Sequence, residues 1–175
     1  MLQLLLSPTR GWEDISADGT ETQDLLEHGY YPLLGAVALS CFMKFWWVAD
    51  ITLAAVLTRA VLTFGTFFAG YFLVRFILDL FAGNLVYGEV SEKKLDTISI
   101  YCLSVLSFFI LIENCIPANL TLLKFLPLFV ALIAYKSARY LGVPSEDDFR
   151  YGLIAVVATV VVPMALYSGI LLLSL

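Results

Sequence analysis

Of the 175 residues, 61% are hydrophobic and only 14% are charged, where a soluble domain carries about a quarter charged. A chain this short has too little interior to hide so much apolar surface, so a water-soluble globule is excluded and lipid is the expected solvent. The formal net charge of −5 excludes the basic face that a nucleic-acid partner requires.

Residues 1–30 form the one substantial polar stretch. Leu4 to Leu6 have no basic residue before them and no small-residue cleavage site after them, so the segment is expected to be retained rather than removed as a leader. Ser7-Pro8 reads as an N-cap followed by proline at the first helical position. Trp12 and Ile15 then fall three apart on one face, with Glu13 and Asp14 on the other. That spacing predicts a short amphipathic helix lying in the membrane interface, anchored by Trp12 and Ile15. A second short helix is expected to start at Thr20, spaced to Gln23 as in a capping box, and to stop at Gly29. Glu13, Asp14, Asp18, Glu21, Asp24 and Glu27 make the segment acidic. It is either a solvated linker or a face for a basic cytoplasmic partner.

Residues 31–175 hold five apolar runs, each near the roughly 20 residues a helix needs to cross about 30 Å of hydrocarbon. The expected fold is an all-α integral membrane protein, a bundle of five transmembrane helices over about 32–49, 51–82, 97–116, 120–141 and 151–173. Tyr30, Tyr31, Trp46 and Trp47 bracket the first run as interfacial aromatics do. Pro127 either kinks the fourth or starts its regular part. Pro163 lies inside the fifth, tolerated where neighbouring helices satisfy the freed carbonyl. Ser145-Glu146-Asp147-Asp148 reads as a capping box before it. With five spans, Arg10, Lys93, Lys94, Lys136, Arg139 and Arg150 share one side with the nearby Arg75, against Lys44, Arg59 and Lys124. The positive-inside bias then places the N-terminus in the cytoplasm and the C-terminus outside.

Few residues could carry chemistry. The single histidine is His28, and neither HExxH nor GxSxG occurs, so no enzyme is expected and no metal or cofactor. Cys41, Cys102 and Cys115 stand singly inside apolar runs and read as small buried residues. The notable groups are intramembrane charges, which are costly and usually paired. Arg75 and Asp79 lie four apart on the second run and can pair directly. Glu113 is expected near Arg59, with Lys124 as the rival partner. These pairs either set helix register or line a polar path. Gly65, Ala69 and Gly70 offer a small-residue face for helix packing, used either inside the chain or between copies.

The polar start "LLLSPTRGWEDIS", the second loop "FAGNLVYGEVSEKKLDTISIY" and the phrase "ALIAYKSARYLGVPSEDDFRYG" between the last two runs together resemble the bacterial branch of the Yip family, named for interaction with Ypt/Rab GTPases. The resemblance covers nearly the whole chain. It implies a multi-pass protein of the inner membrane, with a cytoplasmic N-terminal segment and no catalytic residues. The function expected on these grounds is a non-enzymatic adaptor, scaffold or accessory subunit of a membrane complex. Its partners are then the lipid bilayer and other integral membrane proteins or further copies of itself. The alternative is a small transporter or channel using the intramembrane charges.

Overall fold

The computed structural model describes residues 2–85, 91–116 and 125–173, and all regular structure among them is helical. Among the described residues, three helices are long and apolar enough to cross a membrane: Leu53–Ala82, Glu92–Cys115 and Asp148–Gly169. They differ in burial, with 67% of the apolar window of Glu92–Cys115 buried against 39% and 28% for the other two. The 92–115 helix is therefore the axis, and the remaining helices surround it.

The first apolar helix is longer than expected. It starts at Thr22 and runs unbroken to Trp46, changing pitch on the way. The Thr20–Gln23 box does not form, because the Thr20 hydroxyl bonds Asp18 at 2.7 Å and the Gln23 amide bonds Glu27 at 2.7 Å. Gly29 does not stop the helix either. Instead the backbone widens into π-type turns over Leu25–Tyr30, with the Tyr31 N–H reaching back to Leu26. The cause lies in the sequence: Pro32 has no N–H to give and its ring crowds the preceding turn, and a wider turn relieves both. The same device recurs in the fifth run. Val157–Val161 widens, the Val162 N–H bonds Val157, and Pro163 follows two residues after the widened segment, as Pro32 does. The rod closes at Cys41–Trp46 as a tight 3-10 helix.

Thr52 caps the 53–82 helix, its hydroxyl accepting the Ala55 N–H at 3.2 Å, so the helix begins at Leu53, two residues after the expected start. The third helix begins at Glu92 rather than Thr97, since the charged "EKKLD" stretch continues the helix beyond its apolar part. The fourth is regular from Pro127 to Lys136, with Pro127 in its first turn. The expected residues 120–124 of this run and Lys124 lie outside the described residues. A short helix, Ala138–Leu141, continues it and ends at Gly142 in the left-handed conformation at φ 91°, as helix termini commonly do. The last helix starts at Asp148 rather than Tyr151, with Asp147 at its cap position and no side-chain cap made. It packs closely on the fourth: a Cβ on Gly152 would lie 2.2 Å from the Tyr135 ring.

Large apolar side chains point outward as well as inward. Leu57, Val61, Phe64, Phe68, Phe72 and Phe76 make an exposed stripe at helical spacing along 53–82. Leu128, Phe129 and Leu132 extend the apolar surface on 127–136. Contiguous outward faces of this kind are rare on proteins that meet only water.

Candidate functional site

Polar chemistry gathers at one end of the bundle, where the N-terminal segment folds over the helices. Leu2–Leu6 and Pro8–Asp18 close into a hairpin, and Gly11 makes it possible: a Cβ there would sit 2.9 Å from Leu4 Cα. The hairpin turns Trp12 inward, leaving it 3% exposed. Its indole N–H donates to the Ile133 carbonyl at 3.0 Å. The ring stacks on Tyr140 at 5.1 Å and meets the edge of Tyr101 at 6.2 Å. Trp12 is thus not the lipid-facing anchor expected from its spacing but a buried plug in protein. Ile15, half-buried one turn on, packs against the same core. Leu4 is buried as well, although nothing in its spacing separates it from the neighbouring leucines.

Arg75 finds a different partner from the one expected. Its Nε contacts the carboxylate of Asp96, and its Nη2 lies 3.2 Å from Glu92. The Tyr71 hydroxyl donates to the same Asp96 oxygen at 3.0 Å. Asp79, one turn along, is exposed, and no ion pair joins it to Arg75. The reason is environment: the Asp96 side chain is only 15% exposed, so its charge is less screened than one in open solvent and a neighbouring helix holds it in place. Lys93 completes this end, its ammonium donating to the Gly19 carbonyl at 2.8 Å. A cation thereby sits at the negative C-terminus of the hairpin's second helix.

A cavity of about 570 Å³ opens beside Trp12. Lys94, Lys136 and Arg139 line it, together with the acids Glu13 and Asp148. The rings of Trp12, Tyr135 and Tyr140 form its apolar wall. Lys94 lies over the Tyr140 ring at 5.6 Å and Lys136 over Tyr135 at 5.7 Å. None of the three cations forms an ion pair among the described residues.

At the opposite end, Arg59 and Glu113 form no ion pair among the described residues. Glu113 is exposed, while the Arg59 Nε is buried without a hydrogen-bond partner among the described residues. Lys44 and Tyr167 lie within electrostatic reach of both. The bond that fixes register here is one the sequence reading missed: buried Asn114 donates to the Ser40 hydroxyl at 2.9 Å, and Ser40 donates to Val37 at 2.6 Å. Gly65 and Ala69 face outward, and a Cβ on Gly65 or Gly70 would meet nothing within 4 Å. Close packing within this chain therefore does not require these glycines.

Several interior hydroxyls are tied down locally, while the buried Ser107 hydroxyl has no hydrogen-bond partner among the described residues. Thr66, Thr97, Ser99 and Thr159 each donate to the carbonyl four residues back, at 2.7 to 2.8 Å. Ser137 is shared between the Ala134 carbonyl at 2.7 Å and the Tyr151 hydroxyl at 2.6 Å. Among the described residues no cluster of histidine, cysteine or carboxylate side chains could hold a metal ion. No family model, curated protein or solved structure matches the chain.

Proposed function

We propose that this chain is a five-span, non-enzymatic adaptor or accessory subunit of a membrane complex, related to the Yip family, with its hairpin end in the cytoplasm. The observation that carries this reading is how the polar groups are disposed. Most hydroxyls inside the bundle bond nearby backbone, while Lys94, Lys136, Arg139 and the exposed acids of the docked N-terminal hairpin stand close together without ion-pair partners among the described residues. The helices present apolar stripes on their outer faces, suited to lipid or to another membrane helix. Family membership rests on the loop phrases, and the inner-membrane location and orientation rest on that resemblance and on the bias of lysine and arginine.

Native purification in a gentle detergent tests the proposal. A stoichiometric membrane partner is the expected result. A protein that purifies alone and moves a solute when reconstituted in liposomes would overturn it in favour of a small transporter. The buried Arg59 Nε, with Lys44 and Glu113 nearby, is the feature that favours that second reading.

A further inference from the structure

We infer that the cavity beside Trp12 binds a phosphate-bearing anion, supplied in the membrane by the headgroup of an acidic phospholipid. The cavity's chemistry is the first ground. Lys94, Lys136 and Arg139 line it and have no carboxylate paired with them among the described residues. Glu13 and Asp148 also line it, so the cations outnumber the acids. Asp148 stands in the first turn of the last helix, where a carboxylate already complements the helix N-terminus. Guanidinium and ammonium groups converging on one hollow match the several acceptor oxygens of a phosphate.

Position supplies the second ground. Leu128 and Leu132 are exposed on the outer face of 127–136, and Tyr135 continues the line to the cavity. Acyl chains laid along that stripe would bring a headgroup to the level of Lys136 and Arg139. The aromatic wall of Trp12, Tyr135 and Tyr140 suits the boundary between hydrocarbon and headgroup. A basic pocket between helices at that level is a form that lipid recognition takes. The acids of the hairpin do not oppose this, because of them only Glu13 lines the cavity. This inference rests on the membrane-embedded reading but not on the adaptor role.

Native mass spectrometry of the full chain in detergent, titrated separately with phosphatidylglycerol, phosphatidylcholine and inorganic phosphate, provides the test. Saturable retention of phosphatidylglycerol over phosphatidylcholine is expected. Each of Lys94→Gln, Lys136→Gln and Arg139→Gln should weaken it by about fivefold, the effect of one basic charge at an anionic surface. Arg150→Gln, at the same end but paired with Asp147 outside the cavity, should leave it unchanged. Displacement of the lipid by millimolar phosphate would support the anion site and identify a soluble source. Lipid retained against phosphate would support the site and identify the membrane as source. Should Arg139→Gln fail to fold, Arg139→Lys keeps the charge and should retain the lipid. Equal retention of both lipids without phosphate binding would overturn the inference, as would an Arg150→Gln loss equal to the cavity variants. Carbonate extraction of membranes separates the two failures: a chain that stays in the membrane without the preference sinks the cavity alone.

Discussion

The indole N–H of Trp12 donates to the backbone carbonyl of Ile133, 3.0 Å away and 121 residues along the chain. This one bond fastens the polar N-terminal hairpin to the fourth apolar helix, and two tyrosine rings hold the indole in place. The hairpin is thereby part of the folded body, and its acidic residues are presented in a fixed arrangement rather than on a loose tail.

Trp12→Phe should retain the ring packing and lose the hydrogen bond, lowering stability by about 0.5–1.5 kcal/mol. Trp12→Ala removes the plug and should cost about 3–5 kcal/mol. Thermal unfolding in detergent, read beside protease cleavage at Arg10, checks both. If Trp12→Ala leaves the melting temperature and the cleavage rate unchanged, the hairpin is not docked in solution.

Arg75 and Asp96 should behave as a coupled pair across two helices. Arg75→Leu strands a half-buried carboxylate and should destabilise by about 1.5–3 kcal/mol, the range for a hydrogen bond to a charged group. Adding Asp96→Leu should recover much of that loss, because the stranded charge is gone. Asp79→Asn, on the exposed side of the same helix, should be close to neutral. Melting temperatures of these three variants and the unaltered protein decide it, and a cost at Asp79 matching that at Arg75 would refute the assignment.

Gly152→Ala should overpack the contact between the last two helices. The new Cβ would stand 2.2 Å from the Tyr135 ring, and a forced shift of this kind costs about 1–3 kcal/mol. Tyr135→Val in the same chain should relieve it, giving a favourable coupling between neighbouring sites. Additive losses in the double variant would show that the two residues do not meet as described.

The long helices were legible because length and apolarity determine them directly. Thr52 caps a helix that begins within two residues of the expected boundary, and Pro127 stands in the first turn of the regular part of the fourth helix, one of the two places expected for it. Partner choice was not legible. Arg75 and Asp79 are four apart in sequence, but which carboxylate an arginine meets depends on helix rotation, and the winning group came from the next helix. Trp12 shows the same limit: a tryptophan beside acids at helical spacing fits both an interfacial anchor and a tertiary plug. Only the fold-back at Gly11 distinguishes them. Pro163 was visible as an irregularity and Pro32 as a helix start, while the widened turns that precede both follow from where the displaced N–H groups find acceptors.

The acids of the N-terminal segment provide the last prediction. Glu13, Asp14, Asp18, Glu21, Asp24 and Glu27 are all exposed, and the docked hairpin holds the first three on one short helix. Anionic lipid on the cytoplasmic leaflet repels such a surface, whereas a basic protein face is attracted to it. A partner recognised this way should be held less strongly as salt rises, since exposed charges are screened over about 8 Å at physiological ionic strength. Converting the six acids to their amides leaves the Trp12 contacts untouched, so the fold should persist with an unchanged melting temperature. The partner found by native purification should then release at lower salt than from the unaltered protein. Retention of every partner at the same salt tolerance would reduce the acidic surface to a solvated cover and move the interface to the apolar faces of the helices.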